Sequence, residues 1–439
     1  MTTIAINQKL QGTISKDPTS KVFLSAYICN MLEMYDFLIT GMMFPYISQL
    51  FFPLEDKISV LLAGSLTFLV GFLMMPLGGI LFGYIGDRYG RKRALLISIS
   101  GMTLATVGIG LLPTYNAILF LSPILFVFLR LIQGLCLGGE KQGASIFTLE
   151  HYKGIRPGTR GALLATSNGM AALVAFFISL IATSYLSSQE GWRFCYLFGG
   201  SLGIVGLYLR FFINESPAFL QYFSEKTLRK NVPLINVLKN RKLNVMNAFL
   251  GTGVLVCLTY TGFTFVNLFL TQFLNFSSTF SLSCAASGTI IGMIAVCFAG
   301  RLCDRFGLYT ILQLSLLILL VTIFPIHWLL ASGNTAGIFL SLLLLAFPTG
   351  GFAGCIPHLI ASSFPPQERY SGSAFSNNLA QAFLGGVQPF LAIYLIKITD
   401  VLWSPAIYTF LLAATYFLFL QVFGKKLTCF DYIGKESQK

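Results

Sequence analysis

Two charged segments, Gly83-Tyr-Ile-Gly-Asp87-Arg88-Tyr-Gly90-Arg91-Lys92 and the degraded copy Gly300-Arg-Leu-Cys-Asp304-Arg305-Phe-Gly307, recur about half a chain apart in a sequence of 439 residues. Each lies between long apolar runs, so each half of the chain carries one copy and the whole reads as a duplicated unit. Charges held in a short connection between apolar runs mark a point where a membrane protein turns round on one side of the bilayer. A duplication of that kind is the architecture of a transporter.

Composition excludes a soluble domain: 55% of residues are hydrophobic, 10% are charged, 42 are Phe and the mean hydropathy is +0.76. Apolar stretches of the ~20 residues needed to cross ~30 Å of hydrocarbon fall at 22–51, 58–84, 93–112, 117–149, 161–186, 192–213, 243–273, 281–300, 308–331, 336–361, 371–398 and 405–423. They predict an all-α membrane protein of twelve transmembrane helices in two six-helix pseudo-repeats. The expected divisions are an N-terminal segment over 1–21, a first half over 22–213, a linker over 214–242, a second half over 243–423 and a tail over 424–439. A membrane barrel requires short segments of period two, and none is present in the sequence.

Cytoplasmic loops retain Lys and Arg, and most of the 29 basic residues fall on one side if the N-terminus is inside. On that reading both termini are cytoplasmic, Arg210 and Arg369 belong to inner connections, and Arg130 and Lys141 are the only cations within spans. Scattered in short loops beside anionic lipid, the net charge of +13 does not assemble a nucleic-acid surface. Trp192, Trp328 and Trp403 fall at outer helix ends, as interfacial anchors do. The first twenty residues show no signal-peptide pattern. Nine Cys without a CxxC pair and three scattered His give no expectation of a metal or cofactor. In the linker, Ser216-Pro217 reads as a helix start, with Phe219, Leu220 and Phe223 forming the apolar face of a short interfacial helix.

Ionisable groups inside a span are costly and persist where they face a cavity, a partner or a proton path. Glu33 and Asp36 share a helix face in the first span; Arg130 and Glu140 stand in the fourth, with Glu150 at its inner end. Asp36 and Arg130 reach comparable depth from opposite sides, so their encounter and separation would make a proton-coupling switch. Glu140 follows Gly138-Gly139, where close helix approach or a ligand is admitted. In the two charged turns, Gly83, Asp87, Arg88, Gly90, Arg91 and Lys92, and Asp304 with Arg305, read as a latch on the inner side of each half. Each Asp would accept hydrogen bonds from a neighbouring helix start, the second latch being weaker because Leu308-Tyr309 replaces Arg91-Lys92. Tyr35, Gln133, Tyr260, Phe263, Asn267, Asn378 and Gln381 are candidates to line a central substrate cavity, with aromatic faces suited to an ammonium group.

Gly83 to Lys92 resembles the loop signature of the major facilitator superfamily, and Arg130-Leu-Ile-Gln133-Gly134 resembles its fourth-span motif. Asn30-Met-Leu-Glu33-Met-Tyr-Asp36-Phe, the stretch from Gln133 to Glu150, Gly191-Trp192-Arg193 and Glu215-Ser-Pro-Ala-Phe219 are similar to the metabolite:proton symporter family. Its members carry proline and betaine, 2-oxoglutarate, citrate or shikimate. Phe364-Pro365 with Arg369-Tyr-Ser, Phe375, Asn378 and Pro389 looks most like the proline/betaine carriers, although the extended C-terminal coiled coil of some members is absent. The resemblance implies a monomeric two-lobed carrier in a bacterial inner membrane, importing a small polar metabolite with a proton by alternating access. It implies a zwitterion such as proline or betaine as substrate, an organic acid being the alternative. The related sugar:proton symporters pair a first-span Asp with a fourth-span Arg, and Asp36 and Arg130 occupy the matching motif positions. No residue set for a membrane enzyme is found.

Overall fold

The computed structural model describes residues 19–52, 57–151, 156–186, 190–211, 233–365, 368–427, 429–430 and 436–437. The side chains of Asp87, Arg91, Glu140, Lys141, Glu150 and Phe263, and all of Ser216 to Phe223, lie outside the described set.

Among the described residues twelve long helices follow in order: α1 (Thr19–Phe51), α2 (Lys57–Tyr89), α3 (Arg91–Leu111), α4 (Leu121–His151), α5 (Pro157–Tyr185) and α6 (Gly191–Phe211) form the first half. In the second half, α7 runs Lys242–Tyr260, through a π-turn at Thr261–Phe265, to Val266–Gln272. Then come α8 (Ser278–Phe306), α9 (Leu308–Ala331), α10 (Thr335–Ser363), α11 (Arg369–Ala380, a π-turn Gln381–Gly385, and Gln388–Thr399) and α12 (Pro405–Phe423). Eleven helices carry windows apolar and long enough to cross a membrane among the described residues, and α1, of 33 residues, completes the twelve.

Close packing in the first half rests on glycine. A Cβ at Gly78 of α2 would stand 1.9 Å from the Leu135 carbonyl of α4; Gly134 and Gly138 of α4 face the carbonyls of Gly71 and Met75 as tightly. Without those glycines the two backbones cannot touch, and contact of small residues is what holds helices together where lipid is as apolar as the side chains.

The charged signatures are not loops. The first helix of each pair runs through the acidic residue to Tyr89 or Phe306, and the reversal is a single glycine, Gly90 at φ 107° and Gly307 at φ 90°. An L side chain is strained at such φ, so glycine alone permits so abrupt a turn. The end of the molecule carrying these two glycines is called the signature end below.

Two other expectations are corrected. Trp192 is 1% exposed, packed edge-on against Phe51 at 5.4 Å and Tyr196 at 6.3 Å, and is a core residue rather than an interfacial anchor; Trp328 and Trp403 are exposed. Arg210 and Arg369 are both buried in helices instead of lying in loops. The tail adds a small antiparallel pair, β1 (Cys429–Phe430) and β2 (Glu436–Ser437), with Phe430 buried under the Arg241 guanidinium at 4.8 Å. Of the linker, the described part forms a short helix, Pro233–Asn240, anchored by buried Val237.

Candidate functional site

Because every odd-numbered helix starts at the signature end, the starts of α5, α7 and α11 lie near the turns that close α2 and α8. Asp304, in the last turn of α8, uses that proximity. Its Oδ1 accepts the Gly158 amide at 2.8 Å, and its Oδ2 accepts the Thr159 amide at 2.8 Å and the Thr159 hydroxyl at 2.6 Å. A carboxylate thus caps the positive end of α5. This cap joins the second half to the first, through three donors to one carboxylate. The Asp87 counterpart lies outside the described side chains. Arg88 stacks between Tyr84 and Tyr89, Lys92 donates to the Phe211 carbonyl at 2.8 Å, and Arg305 lies over Phe306.

Two further contacts join the halves on this side. The Tyr370 hydroxyl donates to the Gly139 carbonyl at 2.6 Å, and Asn378 Nδ2 donates to the carbonyls of Gly138 at 2.6 Å and Met75 at 3.1 Å. Removing the α5 cap with Asp304→Ala is expected to cost about 1 kcal/mol, a shift of roughly fivefold between closed and open states. Initial-rate kinetics should show a lower transport rate with substrate affinity changed less than twofold; an affinity defect alone would place Asp304 in another role.

Between the halves lies a cavity of about 160 Å³ walled by α1, α5, α7, α8, α10 and α11. Its polar lining comprises amides and hydroxyls, including Asn30, Asn168, Thr252, Tyr260, Thr289 and Asn377, in a predominantly apolar wall. Among the described residues no charged side chain lines it. Of the residues expected there, Tyr260 does line it. Asn378 is spent on the contact between halves, Asn267 accepts the Ser281 hydroxyl at 2.7 Å, and Tyr35 donates to the Cys195 carbonyl at 2.9 Å. Gln381 is buried in the π-turn of α11, outside the cavity lining. The amides actually present, Asn30, Asn168 and Asn377, were missed; the duplicated Asn377-Asn378 pair was the available signal.

Glu33, Asp36 and Arg130 are buried within the first half and do not line the cavity. Arg130 and Asp36 make no direct ion pair. Arg130 Nη1 donates to Gln133 Oε1 at 2.8 Å, Gln133 Nε2 donates to Thr106 Oγ1 at 2.7 Å, and Thr106 Oγ1 donates to Asp36 Oδ2 at 2.7 Å. Gln133 is therefore a link in a relay and not a cavity residue, and Thr106 is a member that sequence reasoning missed. The Thr106 hydroxyl also lies 2.9 Å from the Met102 carbonyl, giving one hydrogen two possible acceptors. Asp36 Oδ1, Arg130 Nε and Arg130 Nη2 have no hydrogen-bond partner although both residues are buried. Gly199 leaves the room that Asp36 Oδ1 occupies, since a Cβ there would stand 2.3 Å from it. Arg130 also faces the Phe37 ring at 5.4 Å; Phe37 packs on Phe72 at 4.4 Å and Phe72 on Tyr260 at 5.3 Å. That aromatic row runs from the buried cation to the cavity wall.

Glu33 shares its helix face with Asp36 but has a different partner: Arg210 of α6, Nη2 to Oε1 at 3.3 Å, both nearly fully buried. Arg210 is thus a further cation within a span, beyond Arg130 and Lys141.

Residues 26–389 match the family model described as Major Facilitator Superfamily. The Proline/betaine transporter of Escherichia coli is 32% identical over 90% of this chain and 81% of its own length. The Shikimate transporter of the same species is 31% identical over 91% and 93%. Among solved structures, that of the proton:xylose symporter XylE bound to 6-bromo-6-deoxy-D-glucose superposes with a TM-score of 0.77 at 16% identity, covering 92% of this chain and 95% of that one.

Proposed function

The chain belongs to the major facilitator superfamily, as a multi-pass membrane transporter, and from that premise we propose that it carries a small zwitterion such as proline or betaine together with a proton, by alternating access. The observation that carries the substrate class is the uncharged lining of the cavity. A dicarboxylate or tricarboxylate would enter it with net charge and meet no cation among the described lining residues, a desolvation cost that only pairing offsets. A zwitterion brings its own counter-charge. The named activities of relatives include both classes, proline/betaine and shikimate; the lining favours the first.

Proton coupling is assigned to Asp36, with Arg130 as the cation that receives it when the bridge opens. Ionised Asp36 accepts the Thr106 hydrogen, and Gln133 is then held with its oxygen toward Arg130. Protonated Asp36 becomes a donor, and the Thr106 hydrogen turns to the Met102 carbonyl. Thr106→Val removes the hydroxyl at constant shape and leaves both Asp36 Oδ2 and Gln133 Nε2 unsatisfied, a cost of about 1–3 kcal/mol for each. Uptake driven by a pH step should fall roughly tenfold or more, with Thr106→Ser restoring it; equal rates in the Val variant would remove Thr106 from the coupling path. The signature end is read as cytoplasmic, with the membrane a bacterial inner membrane and the chain acting as a monomer.

Proteoliposomes with an imposed pH gradient test the whole reading, using radiolabelled proline, betaine, 2-oxoglutarate, citrate and shikimate. Accumulation of proline or betaine that collapses with a protonophore is expected. Accumulation of an organic acid in its place overturns the substrate class.

A further inference from the structure

The polar groups of the cavity stand at one level. Asn30, Asn168, Thr252 and Asn377 each lie roughly 8–11 residues into a helix that starts at the signature end, about 12–17 Å along it at ~1.5 Å per residue. On the first half the amides serve each other: Asn30 Nδ2 donates to Asn168 Oδ1 at 3.0 Å and to the Ser167 hydroxyl at 2.6 Å. On the second half they do not. Asn377 Nδ2 and Thr252 Oγ1 have no hydrogen-bond partner, although Asn377 is 3% exposed and Thr252 1%. Both residues line the cavity, and α7 and α11 pack against each other.

Buried polar atoms are almost always paired, so two unpaired donors on one cavity wall mark a place where a bound acceptor is accommodated. An amide N–H can only donate, and a hydroxyl without an acceptor donates equally well. Their common complement is an acceptor oxygen, and a carboxylate, with two oxygens and a negative charge, is the acceptor that binds such donors most strongly. Among the described residues the cavity wall holds no cation to neutralise it, which suits a ligand that carries its own positive charge. The same wall carries the Asn30–Asn168 pair of the first half, whose amide oxygens have lone pairs to spare, and the thioethers of Met34 and Met293.

We infer that Asn377 and Thr252 form the carboxylate-binding end of the substrate site, holding a zwitterion whose cationic end faces the Asn30–Asn168 pair of the first half. This rests on the zwitterion reading above and assigns residues to it. A ligand held so touches both halves, which gives its binding a direct hold on their closure.

The test uses full-length protein in detergent, with Thr252→Val, Thr252→Ser and Asn377→Leu, and equilibrium binding of radiolabelled glycine betaine and choline. Choline has the same quaternary ammonium and no carboxylate. Betaine affinity should fall on the order of 10- to 100-fold in Thr252→Val and Asn377→Leu and stay within about twofold of the parent in Thr252→Ser. Choline affinity, weaker from the start, should be alike in all four proteins. Unchanged betaine affinity in both Thr252→Val and Asn377→Leu overturns the assignment while leaving the zwitterion reading intact. Parallel loss of choline and betaine overturns it too, as a packing defect. Parent protein that binds neither betaine nor proline but takes up an organic acid removes the zwitterion reading itself. Where Asn377→Leu fails to fold, the Val and Ser pair at Thr252 decides alone.

Discussion

Asp36→Asn protein is expected to bind substrate and exchange it across the membrane, yet to accumulate none above background when a pH gradient is imposed. The carboxylate sits at the end of the Arg130–Gln133–Thr106 relay with Oδ1 unpartnered against Gly199. Asparagine keeps the shape, and its amide can occupy the same space, but it neither takes up nor releases a proton. Counterflow assays measure the exchange, and a pH jump measures accumulation. An Asn variant that still concentrates substrate would move the coupling role elsewhere, with Glu140 the next residue to change. Because Arg130 is bridged to Asp36 and not paired with it, the variant should lose little stability. A drop as large as that predicted next would point instead to a structural ion pair formed in another state.

Breaking the Glu33–Arg210 pair should have the largest effect on stability. Removing one partner leaves the other charged and buried, at about 3–5 kcal/mol, so Glu33→Gln and Arg210→Gln are each expected to lower the detergent melting temperature by on the order of 10 °C. The double variant Glu33→Gln with Arg210→Met removes both charges and should recover most of that loss. Proton-driven uptake measured on the recovered protein then separates two roles for Glu33. Retained accumulation makes it a tie between α1 and α6, whereas stable protein without accumulation returns it to the proton path beside Asp36.

The twelve spans were legible in the sequence because span length and hydropathy are local properties: the stretches at 308–331 and 405–423 coincide with α9 and α12. The signature glycines were visible too, but not that the helices run right up to them. Hydropathy falls at Asp87 and Asp304, whereas backbone hydrogen bonding continues for another turn beyond the apolar stretch.

What the sequence by itself determined is the duplicated helical architecture, the buried charges Glu33, Asp36 and Arg130 but not Arg210 or Arg369, and the motifs that mark the superfamily. Tertiary structure decided which of those charges meet. Glu33 and Asp36, three residues apart on one helix, find partners on different helices, and Asp304 caps a helix start 146 residues away in sequence. The cavity turns on a single residue. Asn377 and Asn378 are chemically identical neighbours, but successive residues on a helix point about 100° apart. The rotation of α11 against α2 and α4 sends Asn378 to backbone carbonyls and leaves Asn377 on the cavity wall. That rotation is set by packing between helices far apart in the chain, and no local pattern of residues encodes it.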